Sequence, residues 1–235
     1  MPDPAAILIT RPEPGASATA ARLAALGFRP VVAPLLTIRR RAPELPAATR
    51  LQAALVASVQ ALPALAAAHR GVPLYVVGDA TAGAARALGF KTVISAAGDA
   101  AALATLVAAA CRPAAGPLLL AAGRGRGEEL AATLREAGFA VIRRSVYAAF
   151  PVARLPAAAR AGLREARIET ALFFSGETAA TFVRLIGAAG LRTALLPVAA
   201  IAIGPAAAAA LGPLPFRSVR VAVRPTEEAV LAMLA

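Results

Sequence analysis

Short apolar runs alternate along this chain with longer alanine-rich stretches, and that alternation constrains the fold more than any other feature. The runs are residues 6–10, 54–57, 74–77, 92–94, 118–121, 171–174, 199–203 and 219–222. Each is too short for a helix and is closed by turn-forming or helix-starting residues. Helical stretches follow most of them, at 15–26, 81–88, 100–111, 127–137, 178–188, 206–211 and 227–234. A strand buried on both faces reads as an unbroken apolar run. The pattern therefore predicts an α/β fold with doubly wound parallel sheets.

The alternation also repeats on a larger scale. Ala25-Leu26-Gly27-Phe28 resembles Glu136-Ala137-Gly138-Phe139, Ala54 to Ser58 resembles Ala171 to Ser175, and Leu74 to Gly78 resembles Ala200 to Gly204. The offsets of 111, 117 and 126 residues keep one order twice, with small insertions between. Two similar α/β lobes with a cleft between them are expected. Two extended segments, Val31 to Ile38 and Ile142 to Pro151, have no helical periodicity and read as strands linking the lobes.

Composition excludes several chemistries. One cysteine, Cys111, excludes an internal disulfide, and one histidine, His69, argues against a His/Cys zinc site or a Ser-His-Asp triad. A reducing, cytoplasmic setting is the expectation. Residues 193–216 and 51–68 carry no charge, but prolines and glycines interrupt the first and Pro63 the second. The first is read as a buried strand, a turn and an alanine helix, and no membrane span or signal peptide is expected. The net charge of +12, nearly all arginine, points to an anionic partner. Coding bias toward arginine explains the same number. No basic stripe appears, and aromatics at 4% are too few for a stacking platform, so no nucleic-acid partner is expected.

In parallel α/β sheets ligands bind beyond the carboxyl ends of the strands, where helix N-termini offer free N–H groups. Here those ends are Arg11 to Gly15, Ser58, Gly78-Asp79-Ala80-Thr81, the loop Gly123-Arg124-Gly125-Arg126-Gly127, Ser175-Gly176 and Gly204-Pro205 with Ala206 and Ala207. The glycine loop fits neither nucleotide fingerprint: Glu128 stands where a third glycine would, and Gly-Lys-Ser/Thr is absent. It reads as a strand–helix turn with solvated arginines. His69 is expected to be a solvated, helix-terminal histidine, Cys111 an inert buried thiol and Tyr75 a core residue. Tyr147, on a linker segment, could turn its hydroxyl toward the cleft or pack in the core.

The stretch Leu74-Tyr75-Val76-Val77-Gly78-Asp79-Ala80-Thr81-Ala82 followed by Leu88-Gly89-Phe90 resembles the uroporphyrinogen-III synthase family. Ile9-Thr10-Arg11-Pro12, Pro34-Leu35-Leu36, Gly98 to Leu103, Leu130 to Gly138 with Val146-Tyr147, Phe173-Phe174-Ser175, Ala202 to Pro205 and Pro225-Thr226 follow in family order. The resemblance implies two doubly wound lobes joined by a two-stranded linker. The first lobe would be discontinuous, residues 1–34 plus 153–235. The second would be 43–142, with linker strands at 35–42 and 143–152. It implies a lyase that closes hydroxymethylbilane, a tetrapyrrole with eight carboxylates, to uroporphyrinogen III with inversion of the fourth ring and loss of water. It implies no metal and no cofactor, and we expect a monomer. Tyr147 would assist departure of the hydroxyl, and Thr81 would hold a carboxylate or fix its turn. Arg11, Ser58, Ser175, Gly204 and Thr226 map to the cleft rim. The strand ends add Gly78, Asp79, Ala80, Arg124, Gly176, Ala206 and Ala207 as candidate substrate-binding positions. Three features depart from the family pattern: Ala206 and Ala207 replace its hydroxyl residues, Ala57-Ser58-Val59-Gln60-Ala61 is a poor version of its usual Thr-Ser-x-Asn/Arg-Ala, and Glu177 sits beside an expected anion site. A non-catalytic two-lobed module binding an acidic metabolite is the competing reading.

Overall fold

A computed structural model describes residues 5–234. In chain order its elements are β1 (Ala6–Ile9), α1 (Gly15–Ala25), β2 (Arg29–Val32), β3 (Leu36–Arg40), β4 (Ala53–Val56), α2 (Leu62–Leu65) and β5 (Leu74–Val76). Next come α3 (Asp79–Ala87), β6 (Val93–Ser95), α4 (Ala100–Ala110), β7 (Leu118–Gly123), α5 (Glu128–Glu136) and β8 (Val141–Pro151). The chain closes with α6 (Ala157–Arg164), β9 (Ile168–Phe173), α7 (Gly176–Ala189), β10 (Ala199–Ala202), α8 (Pro205–Leu211), β11 (Ser218–Val221) and α9 (Glu227–Ala232). All eight expected strands form, within a few residues of their expected ends, and the α/β class stands.

Two sheets result, ordered β11-β10-β9-β1-β2 and β3-β8-β7-β4-β5-β6. The five strands of the first pair in parallel, as do β8, β7, β4, β5 and β6 in the second. Period-two alternation sends successive side chains to opposite faces. Leu8, Ala171, Phe173 and Ala200 enter one core of the first sheet, while Ile7, Ile9, Leu172 and Ile201 enter the other. In the second sheet Leu55, Leu118 and Leu120 face one core, and Val56, Leu74, Val76 and Leu119 face its opposite. Each sheet is thus coated on both sides, which is why its strands read as continuous apolar runs. Phe173, Phe182 and Phe216 form an aromatic knot in the first unit, with centroids 5.1 to 6.1 Å apart.

The chain divides into one compact unit of Met1–Thr37 with Phe150–Ala235 and another of Ile38–Ala149. Matching the sheets strand for strand puts β2, β1, β9, β10 and β11 in the same order as β8, β7, β4, β5 and β6. The repeat in space therefore differs from the repeat in sequence. Each unit takes its β–α–β piece from one sequence copy and the three strands beside it from the other. The repeated Gly-Phe stops have one local cause. Gly27, Gly89 and Gly138 have φ of +84°, +83° and +89°, the left-handed conformation that ends a helix. The next N–H in each case, from Phe28, Phe90 or Phe139, reaches back to the carbonyl of Leu23, Ala85 or Leu134.

Three features differ from expectation. Val31 to Ile38 is not one extended segment: β2 belongs to the first sheet and β3 to the second. The break falls at Ala33-Pro34, where proline has no N–H to continue a ladder. Val141 to Tyr147 pairs with β7 apart from one register shift at Val146, so β8 is a sheet strand before it becomes a connection. Helix α6 has no counterpart in the apolar runs, because it buries only Ala159, Gly162 and Leu163. None of the described helices is long and apolar enough to cross a membrane.

Candidate active site

Parallel pairing brings the candidate residues together at one end of each sheet. In the first unit the carboxyl ends of β1, β9, β10 and β11 lead to Arg11, Ser175-Gly176, Gly204 with Ala206 and Ala207, and Thr226. In the second unit β4, β5 and β7 lead to Ser58, Gly78 to Thr81, and Arg124, and Tyr147 of β8 stands opposite Gly123. The sequence-derived positions are thus sorted into two rims.

In the first unit most polar groups hold the rim itself. The buried Thr10 hydroxyl donates to the Leu172 carbonyl at 2.6 Å, tying β1 to β9. Ser175 caps α7: its Oγ accepts the Thr178 N–H at 3.1 Å and lies 2.8 Å from Thr178 Oγ1. A Cβ at Gly176 would stand 3.3 Å from the Ala206 carbonyl, so the starts of α7 and α8 adjoin. Gly204 precedes α8, and its carbonyl accepts the N–H groups of Ala207 and Ala208 at 3.1 and 3.2 Å. Ala207 is buried. Pro205 and Ala206 are the exposed residues at that start. Thr226 caps α9 by accepting the Ala229 N–H at 3.2 Å.

Arg11 is held internally. Its guanidinium donates to Thr19 Oγ1 at 3.1 Å, pairs with Glu227 at 3.5 Å and lies 4.3 Å over the Phe174 ring. Burial lowers its pKa, and the Glu227 carboxylate opposes that shift. The Thr19 hydroxyl in turn donates to Glu227 at 2.6 Å. Arg22 reaches both Glu227 at 3.2 Å and Glu228 at 2.9 Å. The Glu228 carboxyl is held below the usual range by its own backbone N–H and then by Arg22. This network joins α1 to α9. Glu227 is invisible to local pattern reading because its partner Thr19 lies 208 residues away.

The second rim is less committed. Gly78, in extended conformation, precedes α3, and Thr81 donates its N–H to the Gly78 carbonyl at 3.0 Å. Helix geometry leaves the amides of Asp79 and Ala80 without an intrahelical acceptor. Asp79 and Ala80 are exposed, and Thr81 is half-buried. Ser58 Oγ accepts the Gln60 N–H at 3.3 Å. Arg124 is exposed, and its backbone N–H donates to the Tyr147 carbonyl at 2.8 Å. The Tyr147 ring is half-buried and lies directly against Gly123. In the adjoining glycine loop Arg124 and Arg126 are exposed, as expected, and Arg143 of β8 pairs with Glu128 and donates to the Arg126 carbonyl at 3.0 Å.

Two other expectations resolve here. His69 is not solvated: it is 3% exposed, with Nε2 2.9 Å from the Pro46 carbonyl and Nδ1 buried without a partner. The residue ends its turn, but residues around Pro46 fold over the ring. Tyr75 is a core residue, and burial with a hydrogen bond to Cys111 pushes its phenol up to about 12. Cys111 is buried beside it. Among the described residues no three His, Cys, Asp or Glu side chains converge as a metal site would require.

Comparison with known proteins now bears on the site. The family model described as uroporphyrinogen-III synthase HemD matches residues 17–232. No curated protein matches the chain. Among solved structures, uroporphyrinogen-III synthetase from Helicobacter pylori 26695 is similar at TM-score 0.64, with 17% identity and 98% of each chain covered. A mutant uroporphyrinogen III synthase from the extremely thermophilic bacterium Thermus thermophilus is similar at TM-score 0.50 and 18% identity, covering 98% of this chain and 97% of that one. At such identities these likenesses speak for the fold. The motifs, the strand-end placement of their residues and a family model spanning most of the chain agree: the chain belongs to the uroporphyrinogen-III synthase family.

Proposed function

We infer that this chain closes hydroxymethylbilane to uroporphyrinogen III, inverting the fourth pyrrole ring and releasing water. The observation that carries this reading is the family match over residues 17–232. The chemistry starts from the substrate's own reactivity. Departure of the terminal hydroxyl, protonated as it leaves, gives an electrophilic azafulvene and one water. The fourth ring attacks through its substituted carbon to give a spiro intermediate. Fragmentation and reclosure then form the inverted macrocycle. Unassisted closure gives isomer I, so the protein must favour one attack geometry. Each tenfold bias toward isomer III requires about 1.4 kcal/mol of differential stabilisation.

In this reading Tyr147 donates the proton to the departing hydroxyl, a role within reach of a positioned phenol. Its ring position over Gly123, beside the start of α5, supports the assignment. Thr81 and the amides of Asp79 and Ala80 receive a carboxylate at the start of α3, each such helix end contributing roughly 0.3–1 kcal/mol. Arg124, exposed on the glycine loop, meets a second carboxylate. In the first unit Ser175, Gly176, Gly204, Ala206 and Thr226 shape the rim through backbone and caps, and Arg11 acts through its network with Glu227. The reading includes a monomeric, cytoplasmic chain with no nucleic-acid partner.

The decisive experiment is an isomer ratio. The purified chain is incubated with fresh hydroxymethylbilane, and the products are oxidised and separated into isomers I and III. Isomer III in excess is the expected result. Isomer I alone, formed at the spontaneous rate by folded protein, overturns the reading in favour of a binding module for an acidic metabolite.

A further inference from the structure

The loop Gly123-Arg124-Gly125-Arg126-Gly127 holds three glycines, and only two are explained by backbone geometry. Gly125 and Gly127 have φ of +69° and +79°, which an L side chain rarely adopts. Gly123 is not among the residues with positive φ. What distinguishes it is its neighbour. A Cβ placed on Gly123 would come within 2.8 Å of Tyr147 Cε2 and Cζ and 3.0 Å of Tyr147 Oη. The missing side chain is the seat of the phenol.

An irregularity in the sheet delivers the ring to that seat. The β7–β8 register runs Ala121↔Arg144 and Ala122↔Ser145, then jumps to Gly123↔Tyr147. Val146 is therefore one extra residue on β8, the mark of a β-bulge. In a regular strand Val146 and Tyr147 would point to opposite faces. Here Val146 is buried in the core beneath α3, and Tyr147 packs against that same core. The bulge turns two successive side chains to one face. The bond from the Arg124 N–H to the Tyr147 carbonyl, 2.8 Å, pins the bulged backbone just past Gly123.

We propose that Gly123 is a positioning residue for the Tyr147 hydroxyl, setting where the proton donor stands by leaving its ring a flat backbone to rest on. The inference rests on the reading of Tyr147 as that donor. Because the clash would fall on the outer end of a side chain, Gly123→Ala moves the ring rather than the backbone, and the variant remains foldable.

The test uses Gly123→Ala, Tyr147→Phe, the double variant, and Gly187→Ala as a control whose added Cβ meets nothing within 4 Å. In Gly123→Ala we expect kcat for isomer III to fall about tenfold or more, with KM and thermal midpoint little changed. The double variant should be within about twofold of Tyr147→Phe alone, since Gly123 acts only through the hydroxyl. Nitration of the Tyr147 peptide by tetranitromethane should rise in Gly123→Ala and not in Gly187→Ala. Unchanged kcat in Gly123→Ala overturns the proposal, as does multiplication of the two single effects or a kcat loss with unchanged nitration. A wild-type chain yielding only isomer I refutes the functional reading instead. The nitration arm then still decides the seat, since unchanged nitration in Gly123→Ala overturns it without any turnover.

Discussion

Replacing Glu227 with alanine tests whether the Arg11 network stabilises the first rim. The carboxylate accepts the Thr19 hydroxyl at 2.6 Å and pairs with Arg11 at 3.5 Å and Arg22 at 3.2 Å. Thr19 is fully buried, so its hydroxyl would lose its acceptor with no water to replace it, at about 1–3 kcal/mol. The Arg22 pair involves a side chain 42% exposed and contributes about 0–1 kcal/mol. Arg11, 25% exposed, keeps Thr19 and the Phe174 ring and regains some hydration, which limits its share. We expect a net loss of about 2–3 kcal/mol. For a chain of this size that lowers the thermal midpoint by about 6 °C. The assay is thermal unfolding of the full chain followed by circular dichroism. Glu227→Gln, which retains an acceptor for Thr19 but no charge, should lie between wild type and Glu227→Ala. A shift below about 1 °C in Glu227→Ala would refute the ledger, and equal losses in both variants would refute the role given to Thr19.

Three further outcomes are expected. Phe182→Ala empties the centre of the aromatic knot and should cost about 3–5 kcal/mol in urea unfolding; a loss under 1 kcal/mol would mean the core collapses around the gap. The Tyr75 phenol ordinarily titrates at 10.0 and is raised to about 12 in the fold. Its contribution is therefore complete below pH 10 and drains away as pH rises toward 12. The urea midpoint of wild type should fall across that window more steeply than that of Tyr75→Phe, and parallel curves would contradict the assignment. Thr81→Ala should reduce kcat/KM about fivefold for hydroxymethylbilane through KM, while leaving the thermal midpoint within about 2 °C; unchanged kinetics would leave Thr81 a purely structural residue.

The local grammar of this chain is legible from its residues. Strands such as 118–121 and 199–203 announce themselves because a strand covered on both faces can afford no charge. The helix stops at Gly27, Gly89 and Gly138 are readable because a left-handed φ followed by an apolar phenylalanine needs those two residue types. The candidate rims follow from the same grammar, since the residues after parallel strands share one end of a sheet by geometry alone. His69 shows its limit: a polar residue at a helix end looks solvated until a distant loop, here Pro46, is folded over it.

What the sequence alone determined is most of the elements, though not α2, α6 or the split of β2 from β3, together with their α/β class and the internal duplication, all of which depend on neighbours a few residues apart. Tertiary structure decided the rest, because those contacts join residues that no local spacing connects. It distributed the two sequence copies between the units, crossing near Thr37 and again near Ala149. It gave Arg11 an internal partner in Glu227 rather than leaving its charge at the rim. It inserted one extra residue at Val146, and that single step in register brought Tyr147 to rest on Gly123.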